Sequence, residues 1–327
     1  MTGASGFLGG YLVEELLRRG HEVVAMARQG SDTLFLEYLK IEIRRADLTD
    51  PESLARAVEG VEAVVHLAAY YTFTGKRDMY ERVNVQGTRD LLEAMLRAGT
   101  TKMVYCSSTE AMGPTPEGRA DESSPCHPRY HYGRSKLRAE HLVREYSGRG
   151  IEHVILRPSG IYGPRNLEDV SYWFIATYAN SIASRFLIGD GKKVLQFVHA
   201  EDVAQGFALA LESFEAAKGE TYIITDSRAY SYEEIYGIMA RIFGKKPARL
   251  HLPVPLAKVM VAPIDLFNRM RGKQNFLWRV STMDTFSTDR EYSIEKARRV
   301  LGYEPRHALP EGLEETAEWY RESGYIR

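Results

Sequence analysis

The segment Gly3-Ala-Ser-Gly6-Phe-Leu-Gly9 stands at the start of the chain, and leucines at helical spacing follow it as far as Leu17. This spacing predicts a helix that ends near Gly20, and residues 21–27 then predict a strand. Glycines permit positive φ and close approach of another backbone, while the free N–H groups at a helix N-terminus bind anions. The segment therefore predicts a turn that holds the pyrophosphate of a dinucleotide, with a plain tight turn as the alternative.

Strand and helix patterns alternate through the next 130 or so residues. Strands are predicted around residues 41–48, 61–69, 102–106 and 151–156, and helices over 51–60, 84–99 and 132–146. Because short parallel crossovers need helices on the sheet faces, this order predicts an α/β fold with a Rossmann-type doubly wound parallel sheet. No strand precedes Gly3, since the chain begins Met1-Thr2; we expect a truncated start rather than a sheet without its central strand.

The pattern changes after Pro158. Turn residues at 161–164 precede an aromatic-rich helical stretch at 171–184, and a strand at 194–198 with a helix at 201–211 predicts a return to the main sheet. A strand follows at 221–225, and Ser231 with Glu234 predicts a capping box for the next helix. We expect a dinucleotide-binding domain of residues 1–160 and about 194–225. A smaller, mostly C-terminal substrate domain covers about 161–193 and 226–327.

The composition of the 327 residues is that of an ordinary globular protein with a formal net charge of -1, which gives no reason to expect nucleic acid as a partner. Cys106 and Cys126 lack metal-ligand spacing, so no metal is expected. No secretory signal is visible, and we expect a cytoplasmic protein. Residues 252–267 are apolar, but prolines and charges interrupt them and they are too short to span a bilayer. We expect a lid or core packing there, with membrane-surface contact as the alternative.

The segment Ser107-Ser108, read with Tyr132-Gly-Arg-Ser-Lys136, carries groups suited to proton transfer. Tyr132 and Lys136 are four residues apart and share one face of a helix. A nearby ammonium favours the phenolate, so Tyr132 is the candidate acid or base at a carbonyl oxygen, which Ser108 would hold. Tyr130 is a rival phenol, but its partner at helical spacing is Arg134, which stays protonated.

The predicted strand at residues 21–27 ends at Ala27 and is followed by Arg28. A site that prefers NAD usually has a carboxylate at the end of this strand, where Ala27 stands, to bind the ribose hydroxyls. A guanidinium there favours the 2′-phosphate of NADP(H), with NAD(H) possible and a solvated arginine as the alternative. His66 and His199 are interpreted as hydrogen-bonded core histidines rather than catalytic groups. Residues 70–73 contain three aromatic side chains that would line an apolar pocket or pack in the core.

Together these residues resemble the extended short-chain dehydrogenase/reductase family, also described as the NAD-dependent epimerase/dehydratase family. The resemblance covers nearly the whole chain and includes Asn84-x-x-Gly-Thr88, Arg157-Pro158 and residues 161–165, 197–203 and 297–305. It implies a catalytic set of Ser108, Tyr132 and Lys136, a supporting role for Asn84, and a homodimer through the helices at 84–99 and 132–146. The cofactor contacts that it implies are Gly3, Gly6, Phe7, Leu8, Gly9, Arg28, Asp47, Leu48, Leu67, Ala68, Ala69, Tyr132, Lys136, Pro158 and Ser159.

Within the family, residues 107–113, Arg28 and residues 70–73 resemble the branch of 3β-hydroxysteroid dehydrogenases, sterol-decarboxylating dehydrogenases and dihydroflavonol-type reductases. This branch implies NAD(P)-dependent interconversion of a secondary alcohol and a ketone on a bulky, largely apolar small molecule. Residues 70–73, 172–174 and 252–267 would then form the pocket walls. The alternatives are a nucleotide-sugar epimerase or dehydratase with tightly bound NAD, for which Gly189-Asp-Gly191 is familiar, and a non-enzymatic dinucleotide-binding regulator.

Overall fold

A parallel β-sheet lies at the centre of the computed structural model, which describes residues 1–72, 77–116, 118–167, 170–271 and 278–326. The side chains at positions 170, 173, 182, 183 and 269 are outside this description. The strands are β1 (Val24–Ala27), β2 (Glu42–Arg45), β3 (Ala63–His66), β4 (Lys102–Cys106), β5 (Glu152–Pro158), β6 (Gly160–Tyr162), β7 (Phe186–Ile188), β8 (Val194–Leu195), β9 (Phe197–His199), β10 (Thr221–Ile224), β11 (Tyr230–Ser231) and β12 (Leu250–Leu252).

The described helices connect and cover these strands. They are α1 (Phe7–Arg18), α2 (Leu34–Tyr38), α3 (Pro51–Ala57), α4 (Arg77–Met79), α5 (Gly87–Ala98), α6 (His131–Glu145), α7 (Val170–Asn180), α8 (Ala200–Glu212), α9 (Phe214–Ala217), α10 (Tyr232–Ile242), α11 (Val254–Met270), α12 (Val280–Met283), α13 (Glu295–Leu301) and α14 (Leu309–Glu322). A π-helical segment, Tyr80–Gln86, joins α4 to α5, so the predicted helix at 84–99 begins earlier and with a wider turn than expected.

The central sheet has the predicted doubly wound parallel topology. Strands β3, β4, β5 and β10 lie side by side in the order β10-β5-β4-β3, and β1 pairs with β2. Thr2 bridges Met26 of β1 and His66 of β3, and therefore joins the two groups of strands at the centre of the sheet. The Rossmann-type fold class predicted from the alternation of elements is confirmed, because all of these pairings are parallel.

Each face of the sheet carries its own hydrophobic core. On one face α1 packs against α8, and the core includes Leu12, Val104 and Phe207. On the other face α3, α5 and α6 pack together, and the core includes Met103 and Tyr105. Alternate residues of β4 thus enter opposite cores, as expected for a strand that is buried on both faces.

A third large hydrophobic cluster lies outside the sheet and draws side chains from α7, α10, α11 and α14, among them Phe174, Tyr236 and Leu313. The expected division into a dinucleotide-binding and a substrate domain stays a prediction. Helix α13 lies in the C-terminal range assigned to the substrate domain, yet it packs against α8, α9 and β10. Its residues Ala297 and Leu301 belong to the cluster on the sheet.

The predicted strand at 194–198 is wrong as a single strand of the main sheet. It is split into β8, which pairs antiparallel with β11, and β9, which pairs in parallel with β6. Gln196 lies between them, and its side chain bonds to the backbone of distant segments, donating to the carbonyl of Asp226 and accepting from the N–H of Tyr292. The chain returns to the main sheet through β10, which lies beside β5.

Residues 252–267 fall mostly in α11, and core packing is wrong for most of their apolar side chains, which are exposed. Only a minority, such as Ala257 and Val261, are buried. Among the residues that the structure describes, no helix combines the length and the apolar character needed to cross a bilayer.

Candidate active site

The glycine turn lies at the carboxyl edge of the parallel sheet, directly before α1. Gly3 adopts φ +72°, and a Cβ at this position would lie 2.8 Å from the backbone nitrogen of Ala68. A Cβ on Gly9 would lie 2.7 Å from the carbonyl oxygen of Ala4. Gly6 precedes α1, and its exposed N-terminus has no side-chain cap. The turn therefore requires glycine at these points and leaves helix N–H groups open to an anion.

The next part of this edge contains the side chains predicted to contact the adenosine end of a dinucleotide. Arg28 is exposed immediately after β1, and Asp47 follows β2. Partial burial opposes ionisation of Asp47, but hydrogen bonds from Thr49 and the charge of Arg28 hold the pKa of its carboxyl below the usual value. Leu48 is buried. A Cβ added at Gly87, the first residue of α5, would lie only 2.8 Å from the Cβ of Leu48, so α5 packs closely against this side chain.

The remaining predicted cofactor residues lie along the same edge of the sheet. The N–H of Leu67 donates to the carbonyl of Thr2, and that of Ala68 to the Thr2 hydroxyl. Those that are half-buried are Phe7, Leu8, Leu67, Ala68 and Ala69, whereas Pro158 and Ser159 are buried. Pro158 and Ser159 line a cavity that also reaches Ser108 and Tyr132.

The predicted catalytic side chains come together beside this cavity. Lys136 is 1% exposed, and its Nζ lies 5.9 Å from the ring centroid of Tyr132 and 4.8 Å from that of Tyr105. Burial lowers the pKa of Lys136, while the neighbouring Cys106 and Glu140 oppose this shift. Tyr132 is half-buried and lines the cavity. An ammonium in this position stabilises a phenolate more strongly than it would in water.

Ser107 and Ser108 have different partners although they are adjacent. The Ser107 hydroxyl donates to Glu140 over 2.5 Å. Ser108 caps the short turn Thr109–Ala111, where its Oγ accepts the N–H of Glu110 over 3.1 Å. Within the described part of the chain, the Ser108 hydroxyl has no acceptor for its hydrogen. Ser108 can therefore donate a hydrogen bond to an oxygen bound in the cavity.

Tyr130, the rival phenol, is bound to a different part of the molecule. Its hydroxyl donates to the carbonyl of Ser281 in α12 over 3.0 Å. Burial raises the pKa of Tyr130. Of the two candidate phenols, Tyr132 is the one whose ring lies near the Lys136 ammonium, at 5.9 Å from Nζ to the ring centroid, which fits the predicted pairing.

Asn84 connects the cofactor edge to the helix that carries Tyr132. Its side-chain amide exchanges hydrogen bonds with the backbone of Tyr70 and donates to Ser135 over 2.9 Å. Ser135 in turn donates to the carbonyl of Tyr132 over 2.7 Å. Asn84 is thus positioned to orient α6 rather than to touch the reacting atoms, which fits the supporting role that the resemblance implies.

His66 and His199 are both buried, as predicted for core histidines. His66 bonds to the hydroxyls of Thr2 and Thr88, and burial lowers its pKa to about 3. His199, His307 and Glu315 each place one potential metal-ligand atom within 4.8 Å of the others. Nδ1 of His199 accepts a hydrogen bond from the N–H of Glu201, so the lone pair of Nδ1 is occupied. The ring hydrogen of the neutral imidazole must then be on Nε2. This tautomer is unsuited to binding a metal.

Glu140 was not predicted from the sequence, and it forms the most buried ion pair near the site. Its carboxylate is fully buried and accepts two hydrogen bonds from Arg157, over 2.8 and 2.6 Å, and one from Arg144 over 3.0 Å. Burial opposes ionisation, but Arg157, Ser107 and Arg144 hold the pKa of Glu140 below its usual value. Its position four residues after Lys136 was the available sequence signal.

The cavity has a volume of about 790 Å³ and lies between the catalytic side chains and the third hydrophobic cluster. Of the aromatic residues expected to line it, Tyr71 and Phe174 do so, whereas Tyr70 and Tyr172 do not. Phe73 and the side chain of Trp173 lie outside the described residues. No residue of 252–267 lines the cavity, so the expected contribution of this segment is wrong. The other apolar and aromatic walls include Ile161, Leu195, Phe197, Tyr232 and Phe286.

Three arginines also line the cavity, and sequence reasoning missed them: Arg129, Arg279 and Arg290. Arg290 is 6% exposed and donates to Glu110 over 2.5 Å. These two residues are 180 positions apart, so no local pattern indicates their pairing. The cavity therefore combines apolar walls with three guanidinium groups, one of which is paired with Glu110.

Comparisons with known proteins agree with this fold. The model of the NAD dependent epimerase/dehydratase family matches residues 1–225, and the chain belongs to this family. It is 31% identical over 332 residues to sterol demethylase protein B of Methylococcus capsulatus, covering 100% of this chain and 99% of that protein. It is 29% identical over 334 residues to a 3 beta-hydroxysteroid dehydrogenase/Delta 5-->4-isomerase of Mycobacterium tuberculosis, covering 98% and 89%.

A solved structure with the same fold is DesIV, a dTDP-glucose 4,6-dehydratase from Streptomyces venezuelae with NAD and TYD bound. It is 26% identical, with a TM-score of 0.78, and the match covers 100% of this chain and 98% of that chain. The predicted family and its steroid-dehydrogenase-like branch are confirmed. The chain is an enzyme of a family that contains NAD-dependent dehydrogenases, epimerases and dehydratases.

Replacing Glu140 by Gln tests the buried ion pair. The change leaves Arg157 charged without its partner, and we expect the free energy of unfolding at pH 7 to fall by about 3–5 kcal/mol in urea titrations. Because the pKa of Glu140 is lowered in the folded state, its stabilisation is present above the unfolded-state pKa and is lost as the pH falls through the folded-state pKa. The difference in the free energy of unfolding between wild type and the Glu140→Gln variant should therefore become smaller at acidic pH.

The matched control is Glu14→Gln, which breaks an exposed pair with Arg165 of 2.9 Å. A surface pair of this kind contributes less than about 1 kcal/mol. Equal losses for the two variants would contradict the role of the buried pair.

Proposed function

We propose that this enzyme interconverts a secondary alcohol and a ketone on a bulky, largely apolar small molecule, using NAD(P)(H). The observation that carries the proposal is that Tyr132, beside the buried ammonium of Lys136, and Ser108 line the same cavity. Aromatic side chains from the third hydrophobic cluster form much of the opposite wall. The names of the sterol and hydroxysteroid relatives support this choice of substrate class.

The residues at the carboxyl edge of the sheet fit a nicotinamide dinucleotide. The turn from Gly3 to Gly9, in which a Cβ at Gly3 or Gly9 would clash with backbone, would hold the pyrophosphate at the N-terminus of α1. Asp47 and Leu48 would flank the adenine, residues 67–69 the phosphates and ribose, and Lys136 the nicotinamide ribose. When bound, the dinucleotide supplies the nicotinamide ring that accepts or donates a hydride.

The proton moves through the side chains of the chain itself. In the oxidative direction, the phenolate of Tyr132 would take the proton of the substrate hydroxyl, and the carbon that bears this hydroxyl would lose its hydride to the nicotinamide ring. Ser108 donates a hydrogen bond that orients the substrate oxygen, and Lys136 stabilises the phenolate. In the reductive direction, Tyr132 returns the proton to the carbonyl oxygen. Asn84 acts as a positioning residue through Ser135.

NADP(H) is the cofactor that the end of β1 favours. Arg28 is exposed there beside Asp47, and the residue before it, Ala27, offers no carboxylate to the ribose. A guanidinium pairs well with a 2′-phosphate.

A second candidate function is an epimerase or dehydratase that acts on a nucleotide sugar with tightly bound NAD. Arg129, Arg279 and Arg290 favour it, because guanidinium groups in the cavity could bind a pyrophosphate. The dTDP-glucose dehydratase with the same fold adds support. The aromatic walls and the absence of a carboxylate at position 27 favour the alcohol dehydrogenase.

Calorimetry separates these two substrate classes. With NADP(H) present, we expect hydroxysteroids or extended aryl ketones to bind with one site per chain, because the cavity supplies apolar contact area. UDP- and dTDP-sugars should give no saturable heat. Stoichiometric binding of a nucleotide sugar without a response to apolar ketones would exclude the first proposal and support the second.

Replacing Tyr132 by Phe tests the acid–base assignment. The substitution removes one oxygen and retains the ring, so we expect kcat for ketone reduction to fall by about 10²–10⁴-fold with little change in cofactor affinity. Tyr130→Phe is the matched control, since it removes the phenol that donates to Ser281. It should retain most of kcat. Loss of activity in the Tyr130 variant with retention in the Tyr132 variant would reverse the assignment.

Replacing Arg28 by Ala tests the cofactor preference. A charge-assisted pair contributes about 1.5–3 kcal/mol, so wild type should bind NADP(H) at least about tenfold more tightly than NAD(H) in fluorescence titrations. Arg28→Ala should remove this preference without weakening NAD(H) binding. Arg18→Ala, which removes an exposed guanidinium paired with Glu15 on α1, is the control and should leave it unchanged. Equal binding of both cofactors by wild type would show that Arg28 is only a solvated side chain.

A further inference from the structure

Helix α11 buries Asp265 beside the small apolar residues Ala257 and Val261, and it leaves most of its large apolar side chains exposed, unlike an ordinary surface helix. Asp265 lies on the inner side, 4% exposed, and its carboxylate accepts the N–H of Val280 over 3.2 Å. Lys258 pairs with Asp284 over 2.6 Å. A surface helix normally turns its charged side chains to water and its apolar side chains to the core. In α11 the two charged side chains that the structure describes, Lys258 and Asp265, bond to other parts of the protein.

The outer face of α11 is apolar along its whole length. Met270 is 79% exposed, Val259 70% and Leu266 62%. The other exposed large apolar side chains on this helix are Leu256, Met260, Ile264 and Phe267. Leu250, the first residue of β12 and four positions before the start of α11, is 56% exposed. Monomeric proteins rarely leave so continuous an apolar surface in water, so this face is expected to have a partner.

Basic side chains flank this surface at both ends. Lys246 and Arg249 are exposed before the helix, and Arg271 is exposed after it, with its guanidinium 4.2 Å from the ring centroid of Phe267. Residues 241–271 contain seven lysines and arginines but one acidic residue, the buried Asp265. The chain as a whole has a net charge of -1, so positive charge is concentrated on this segment.

This charge distribution distinguishes between two partners that could cover the apolar face, a second copy of α11 and a lipid surface. A symmetric contact between two copies of α11 would bring the same basic groups close together, and like charges oppose such a contact. A lipid surface with anionic headgroups would instead attract these groups while the apolar face enters the boundary of the acyl chains. Apolar side chains on one face with lysines and arginines beside them are the signature of an interfacial helix.

The position of α11 relative to the cavity is consistent with this partner. The helix packs against α12 and the turn Asp284–Ser287. These two elements contribute Ser281, Thr282, Thr285 and Phe286 to the cavity lining. A bilayer in contact with α11 would therefore lie next to the elements that bound the cavity, where an apolar molecule could transfer without crossing bulk water.

We propose that α11, with Leu250 and the flanking basic residues, docks the enzyme on an anionic lipid surface. The docking is peripheral: the apolar face of the helix lies in the plane of the interface, and Lys246, Arg249 and Arg271 contact the headgroups. This inference rests on the exposed face and its charge, and does not require the proposed substrate.

Flotation with vesicles tests the proposal. The full-length protein should float with vesicles of phosphatidylcholine containing about 30% phosphatidylglycerol and remain mostly unbound with pure phosphatidylcholine, because each basic residue near the surface adds attraction. Val259→Asp should lower the partition coefficient at least about tenfold, since a carboxylate would enter the interface. Reversing Lys246 and Arg249 to Glu should reduce binding to the anionic vesicles by at least about tenfold.

Tyr38→Asp is the matched control, because Tyr38 is 84% exposed on α2 and lies outside the α11 segment. It should bind the vesicles as wild type does. Absence of wild-type binding to anionic vesicles, or equal binding by Val259→Asp, would overturn the proposal. Sedimentation velocity addresses the other partner: a wild-type dimer that Val259→Asp converts to monomer, without vesicle binding, would show that a second copy covers α11.

Discussion

The position of helix α6 depends on the buried ion pair between Glu140 and Arg157. A charge removed from water is tolerated only where partners satisfy it. Both oxygens of Glu140 have such partners, with Arg157 from β5, Arg144 from α6 itself and Ser107 at the end of β4. The pair thus ties one helix to two adjacent strands. Ser108 follows β4 and Tyr132 lies in α6, so the positions of both side chains depend on this pair.

The second constraint is the burial of an ammonium beside the site. Lys136 is almost fully buried, and in the part of the chain that the structure describes no carboxylate forms an ion pair with it. The faces of Tyr105 and Tyr132 offer partial compensation. An incompletely compensated charge next to a cavity is typical of a functional site rather than of a structural one, because it lowers stability unless a ligand or a reaction uses it.

Local patterns in the sequence predicted much of the fold and the central part of the site. Strand and helix periods are local, so the alternating order and the parallel sheet followed from them. The pairing of Tyr132 with Lys136 followed from their spacing on one helix. The contact between Glu110 and Arg290 could not be predicted, because it joins segments 180 residues apart. The break at Gln196 depends in the same way on distant backbone partners.

Helix α11 shows a different limit of sequence reasoning. Periodicity identifies which residues share a helix face, but it does not tell which face meets the protein. Core packing or a lid was the expectation for residues 252–267, but most of their apolar side chains are exposed. In α11 the side that meets the protein carries Asp265, bonded to the backbone of Val280, together with Ala257 and Val261. This choice of side is visible only when the distant partner of Asp265 is known.

A crystal structure of the enzyme with dinucleotide and a substrate ketone bound would test the proposed site most directly. We expect the ketone oxygen to lie within about 2.6–3.2 Å of both Oη of Tyr132 and Oγ of Ser108, the range of a productive hydrogen bond. Lys136 should contact the nicotinamide ribose. A ketone oxygen bound instead by Tyr130 or Arg290, with Tyr132 out of reach, would contradict the proposed site.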